Sequence, residues 1–263
     1  MTSPVITFVF SLILGALCLG ITGAARAQEP WVAPEFLAQS RPDFGTRLPL
    51  CVLKGSPSFE RDVQTAQALA DVLLLTSQVV ELDLRDVAHQ SQDGVWPEIR
   101  QALAGRCLGV MGARLYGAQR LPDWLIASRP YFSAPYVLVS QAAQSLDDLA
   151  ASHPRAQLGA PLYTPIDLSL ITLIEAGGRF GGFQRRPFDR PEIARALMLA
   201  GAMDAAILWE PDLAGLAPDF YQTVAPMPPS FDANRDVAIL FRSTDGALRA
   251  NIDAALKVLA AEE

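Results

Sequence analysis

Short runs of buried-strand character alternate with helices that carry one apolar face along most of this chain, and that alternation restricts the fold more than any other feature. "LPLCVLK" (Leu48–Lys54) reads as a buried strand. "FERDVQTAQALADVLLLT" follows, with Phe59, Val63, Ala66, Leu69 and Leu73 on one face at helical spacing. "VVELDL" (Val79–Leu84) is a second strand. "PEIRQALAG" is a helix with Pro97 in its first turn and Gly105 as its stop, and "CLGVMG" (Cys107–Gly112) is a third strand. Strand, helix, strand, helix, strand implies a parallel sheet with right-handed crossovers. A second round runs through "PYVLVS" (Pro135–Ser140), "SLDDLAAS", "AQLGAP", a helix over Asp167–Ala176, "RPEIARALMLAG" and "MDAAILW" (Met203–Trp209). "YQTVAPM" and "DVAILFR" are later strands, and a terminal helix carries Leu248, Ile252, Ala255, Leu256 and Leu259 as one stripe. Each round is small for a doubly wound sheet, so two lobes are expected, with "SAPY" and "PPSF" as the crossover points between them.

The N-terminus reads differently. "VITFVFSLILGALCLGITGAA" is an apolar run, and "ARAQEP" after it places Ala25 and Ala27 in a small-x-small cleavage pattern. We read residues 1–27 as a secretory signal peptide cut after Ala27; a retained membrane anchor is the competing reading. "EPWVAPEFLAQSRPDFGTR" (Glu29–Arg47) is a proline-rich leader. Cys51 and Cys107 would then share an oxidising compartment, where an even pair points to a disulfide and two buried thiols are the alternative. The net charge of −7 and the scarcity of lysine (Lys54 and Lys257) exclude a polybasic membrane patch and a nucleic-acid partner.

Catalytic signatures are missing. The two histidines, His89 and His153, lie in polar loops without a cysteine or carboxylate at ligand spacing, so no metal site and no cofactor is expected. No G-x-S-x-G elbow is present. "GGRFGG" (Gly177–Gly182) follows a helix, whereas a phosphate cradle precedes one; it reads as a stop and turn. Binding equipment is easier to find. Arg114, Arg120 and Arg129 follow the third strand, and ligands of parallel sheets bind beyond the carboxyl ends of strands. Arg120 is the candidate to hold a carboxylate, with a solvated loop arginine as the competing reading, and Arg114 reads as a solvated loop arginine. Trp209 and Glu210 in "LWEP" end the strongest strand of the second round. Thr164 and Asp167 stand where a helix begins, as caps or as an anion site.

Taken in order, these segments resemble the type II periplasmic solute-binding proteins of the amino-acid-receptor superfamily (family 3). Within it the pattern is most similar to the J-type (MoxJ/XoxJ-like) proteins associated with quinoprotein methanol and alcohol dehydrogenases. The residues that carry the resemblance are "LPLC", Trp96-Pro97, "AGRC", "VMG", "SRPYF", "ILWEPDLAG" and "FDANRDVAILFRSTDGALRANIDAAL", spread over about Leu48 to Leu256. The chain departs from the pattern in the short loop "KGSPSFE", at Leu108 where the family has aspartate, and at Glu210 where it has a small residue.

The resemblance implies a two-lobed α/β fold of type II, with two parallel-sheet lobes joined by a two-strand hinge. Lobe 1 would take residues 28–137 and 234–263, and lobe 2 residues 138–233. It implies a cleft lined by Phe59, Trp96, Arg120, Tyr136, Thr164, Trp209 and Glu210, a periplasmic location without stable membrane insertion, and no enzymatic activity. It further implies an accessory role beside a periplasmic quinoprotein dehydrogenase or its cytochrome. The alternative is a transport receptor that delivers a small organic anion or amino acid to an ABC permease. For an accessory protein, Trp96, Trp124 and Trp209 would serve as interface anchors; core packing is the default role of each.

Overall fold

The computed structural model describes residues 42–84, 94–116 and 120–262. The expected signal peptide, most of the proline-rich leader and His89 lie outside these residues.

The first round forms as its period dictates. Strand β1 (Arg47–Leu53) pairs in parallel with β2 (Thr76–Leu82) and with β3 (Gly109–Leu115), and helices α1 (Phe59–Val72) and α2 (Trp96–Gly105) make the crossovers. Alternate residues of β1 face opposite sides of the sheet. Leu48, Leu50 and Val52 pack with Ala66 and Leu69 of α1 and with Ile252, Ala255 and Leu256 of the terminal helix. Cys51 faces the other way, into a core with Ile99 and Leu103 of α2. Cys107, just before β3, joins it there. The two form a disulfide with Cα atoms 5.6 Å apart, as neighbouring strands allow.

The chain then passes through a three-residue strand, β4 (Leu125–Ala127), into β5 (Phe132–Ser140). The second round is built of α3 (Leu146–Ser152), β6 (Gln157–Pro161), α4 (Pro165–Glu175), β7 (Gln184–Phe188), α5 (Pro191–Leu199), β8 (Ala205–Trp209) and β9 (Thr223–Pro226). Strand β10 (Asn234–Arg242) and helix α6 (Gly246–Glu262) finish the chain. Caps follow the sequence: Ser145 Oγ accepts the Asp148 amide at 3.0 Å ahead of α3, and Thr164 Oγ1 accepts the Asp167 amide at 3.3 Å ahead of α4. Leu158 and Ala160, Ala205, Ile207 and Trp209 face α3 and α4, while Ala206 and Leu208 face α5.

The strand order is β2-β1-β3-β10-β5-β8-β6-β7, with β4 on β10 and β9 on β5. The last strand of the chain therefore enters the first sheet, antiparallel between β3 and β5. Strand β5 serves both sheets. Phe132 to Pro135 pair with β10, and Tyr136 to Ser140 pair with β8, with β9 on the other edge from Val137. Two α/β lobes thus meet along β5 and β10, and the switch falls inside "SAPY", at Pro135–Tyr136.

Candidate functional site

Where the two sheets meet, the side chains are arginines and aromatics. Arg114, one residue from the end of β3, is half-buried. Its guanidinium lies 4.9 Å over the Trp209 ring, and Nη1 donates to Tyr136 Oη at 3.4 Å. Trp209 and Tyr136 are direct partners across β8 and β5. Trp209 is fully buried, and its indole N–H donates to Ala134 O at 3.0 Å, which fixes the ring against the hinge strand. Phe132 lies 6.0 Å from Trp209 and carries the Arg61 guanidinium 4.8 Å over its face. Arg235, in the second hinge strand, is 2% exposed and is flanked by the rings of Tyr116 at 4.8 Å and Tyr136 at 5.6 Å. Each pair is a cation facing a ring quadrupole, a contact strengthened by removal from water.

Carboxyl groups complete the cluster. Asp212, half-buried in the short 3-10 turn after β8, has its pKa raised to about 6 by burial, against the opposing pull of Arg114. Tyr136 is raised to about 12, again chiefly by burial. On the other side of Phe132, Asp62 of α1 is fully buried. It accepts from Tyr131 Oη at 2.5 Å and Ser58 Oγ at 2.9 Å, and Tyr131 Oη accepts the Gly112 amide at 2.9 Å. Burial lifts Asp62 to about 6 despite those hydrogen bonds, and burial followed by the Asp62 charge pushes the Tyr131 phenol up. This network anchors the residue before β5 to α1 and β3.

The residues singled out from sequence fall in several places. Tyr136 and Trp209 are central to the cluster. Glu210 is exposed, one residue beyond Trp209. Thr164 caps α4, and its hydroxyl donates to Pro161 O at 2.6 Å; Asp167 is held by Arg185 through two 2.6 Å hydrogen bonds. Phe59 is the first residue of α1 and packs on the core of the first sheet. Trp96 meets Trp124 edge-on at 6.5 Å in the core that holds the disulfide. Arg120 is exposed in the loop before β4. Arg129 lies apart from Arg114: its amide donates to Asp253 of α6. Arg114 itself corrects the reading of a solvated loop residue, because β3 runs three residues further than its apolar pattern and carries Arg114 onto the hinge. His153 is exposed, and its ring Nδ1 is 3.0 Å from Ser152 Oγ.

Sequence reasoning did not pick out Arg61, Asp62, Phe132, Asp212 or Arg235 as site residues. A signal existed for one of them: Asp62 sits at helical spacing with Ala66 and Leu69, a carboxylate on an apolar stripe. Among the described residues, no group of three or more histidine, cysteine or acidic side chains is placed to hold a metal ion, and no helix is long and apolar enough to cross a membrane.

No family model and no curated protein sequence matches the chain. Solved structures do. An ancestral cationic amino-acid solute-binding protein superposes with a TM-score of 0.57 at 18% identity, covering 87% of this chain and 93% of that one. A substrate-binding protein of an amino-acid ABC transporter from Streptococcus pneumoniae, bound to L-arginine, gives 0.53 at 18% identity, covering 87% and 92%. An ancestral amino-acid-binding protein described as a precursor of cyclohexadienyl dehydratase gives 0.52 at 18%, covering 86% and 92%. The chain shares with these neighbours the two-lobed type II fold of amino-acid solute-binding proteins.

Proposed function

We propose that this chain is an extracytoplasmic solute receptor that closes its two lobes on a small polar ligand and presents it to an ABC permease. One observation carries the reading. Arg114 of the first sheet packs on Trp209 and Tyr136 of the second, at a junction where, among the described residues, β5 pairs with β10 on the first side and with β8 and β9 on the second. Residues from both lobes therefore form one polar and aromatic site, the arrangement that makes hinge closure sensitive to a ligand. The fold neighbours that serve amino-acid transporters support it. The periplasm is the compartment that suits both this role and the Cys51–Cys107 disulfide. The test is a thermal-shift screen of amino acids, small carboxylates and alcohol-oxidation products, followed by small-angle scattering with any hit. A ligand should raise the melting temperature by mass action and shrink the radius of gyration. A folded protein that responds to none of these classes refutes the reading.

A second reading, the accessory role beside a quinoprotein dehydrogenase or its cytochrome, rests on the sequence pattern around Trp96-Pro97, "SRPYF" and "LWEP". One structural feature favours it. Tyr163 stands two residues past the end of β6, in the turn before α4. Tyr163 is 90% exposed, and such a ring is a natural anchor for a protein partner. A pull-down from periplasm, paired with alcohol oxidation in a deletion strain, decides between the readings. Normal oxidation together with loss of uptake of one solute leaves the transport receptor.

A further inference from the structure

Stacking uses the face of a guanidinium and leaves the N–H donors on its edge available. Three arginines at the lobe junction are held in this way. Among the described residues no carboxylate lies within 4.0 Å of Arg61 or Arg114. Arg235 is more constrained. Its Nη1 is committed to the carbonyls of Asp232 and Asn234, and its Nε is buried without a partner. A buried donor on a charged group normally has a partner, and leaving one without is costly. Among the described residues, the carboxylate within 4.0 Å of it is that of Asp232, whose side chain is 82% exposed.

The placement of the three is as informative as their charge. Phe132 and Trp209 form a two-ring platform with Arg61 over one ring and Arg114 over the other, the successive steps being 4.8, 6.0 and 4.9 Å. Arg235 flanks the Arg114 end across Tyr136. The guanidiniums of Arg61 and Arg114 thus stand over neighbouring rings, the pairing that a diacid gripped at both ends requires. Arginine forks suit carboxylates, and an apolar platform between them suits a methylene chain. A cationic ligand would meet three like charges there.

Resting on the receptor reading, we infer that the solute is a small dicarboxylate. One carboxylate is gripped by Arg114 and Arg235, the other by Arg61, and the carbon chain lies along Phe132. Titration calorimetry on the purified protein with succinate, glutarate, butyrate and L-arginine tests this, with thermal melts confirming that each variant is folded. A diacid should bind at least tenfold more tightly than butyrate and weaken with added salt. Arg61→Gln should lower diacid affinity at least tenfold and leave butyrate unchanged, whereas Arg114→Gln should weaken both. Butyrate or L-arginine binding as tightly as the diacids, or an Arg61→Gln variant with undiminished diacid affinity, overturns the dicarboxylate assignment and leaves the receptor reading in place. Silence toward these four and toward the wider solute panel overturns both.

Discussion

Replacing Asp62 with asparagine should make the protein more stable at neutral pH and almost unchanged near pH 4. The carboxylate is fully buried, and burial raises its pKa from 3.8 to about 6 against the hydrogen bonds of Tyr131 and Ser58 and the charge of Arg61. The folded chain therefore keeps a proton that the unfolded chain releases between those two values. Stability falls as pH rises through that window, and the penalty is complete above about pH 6. A shift of roughly two units corresponds to ~3 kcal/mol. At ~2–4 °C per kcal/mol for a body of this size, the variant should melt higher by roughly 6–12 °C at pH 8. The geometry tolerates the change. The asparagine carbonyl can accept from Tyr131 Oη, and its amide can donate to Ser58 Oγ, whose own proton then turns to Ser56 Oγ at 2.9 Å. Urea melts of both proteins from pH 4 to pH 8 measure the difference, and taking the difference cancels the contributions of other groups. Asp212, also raised to about 6 by burial, leaves part of the slope in the variant. Parallel pH profiles for the two proteins would show that Asp62 carries no penalty and would sink the reasoning.

Two further outcomes are expected. Cys51 and Cys107 are fully buried and close a loop of separation 56, worth ~4 kcal/mol in the chain-entropy model; the double alanine variant should melt roughly 8–16 °C lower, and rapid alkylation of both cysteines in the native protein without reductant would refute the bond. Gly182→Ala should destabilise by ~1–3 kcal/mol, because a Cβ there would stand 2.2 Å from the Pro154 carbonyl oxygen, a backbone atom with little freedom to move; an unchanged urea midpoint would refute it.

Elements with a clear period were legible in the sequence, and those shaped by tertiary contacts were not. β1, β8 and β10 announce themselves as continuous apolar runs because both of their faces are covered. β7 is "QRRPF", whose residues other than Phe188 carry no buried signal; it is an edge strand, paired only with β6. β4 is three residues long and exists because β10 offers it an edge. Helix α1 was expected to continue through its leucine run, but it ends at Val72. The chain turns at Leu74, whose φ of 55° is left-handed, without the glycine that would have flagged it. Within the candidate site, Trp209 could be singled out because it ends a strand, whereas Tyr136 was implied by the family resemblance alone. Arg114 and Arg235 could not be singled out, since their role comes from β10 running between β3 and β5, a placement that no local pattern encodes.

That placement also sets an order of assembly. Val237 pairs with both Arg114 and Phe132, residues made more than a hundred positions earlier. A chain emerging from its N-terminus can complete the pairings of β5 with β8 and β9, and of β6 with β7 and β8, before β10 exists. The first sheet meanwhile waits with the edge of β3 open. Closing so long a loop is slow, and an open apolar edge is a template for pairing with other chains. Removing the last thirty residues would therefore do more than trim a tail. It would leave the first sheet without its central strand and the chain exposed to intermolecular strand pairing during synthesis.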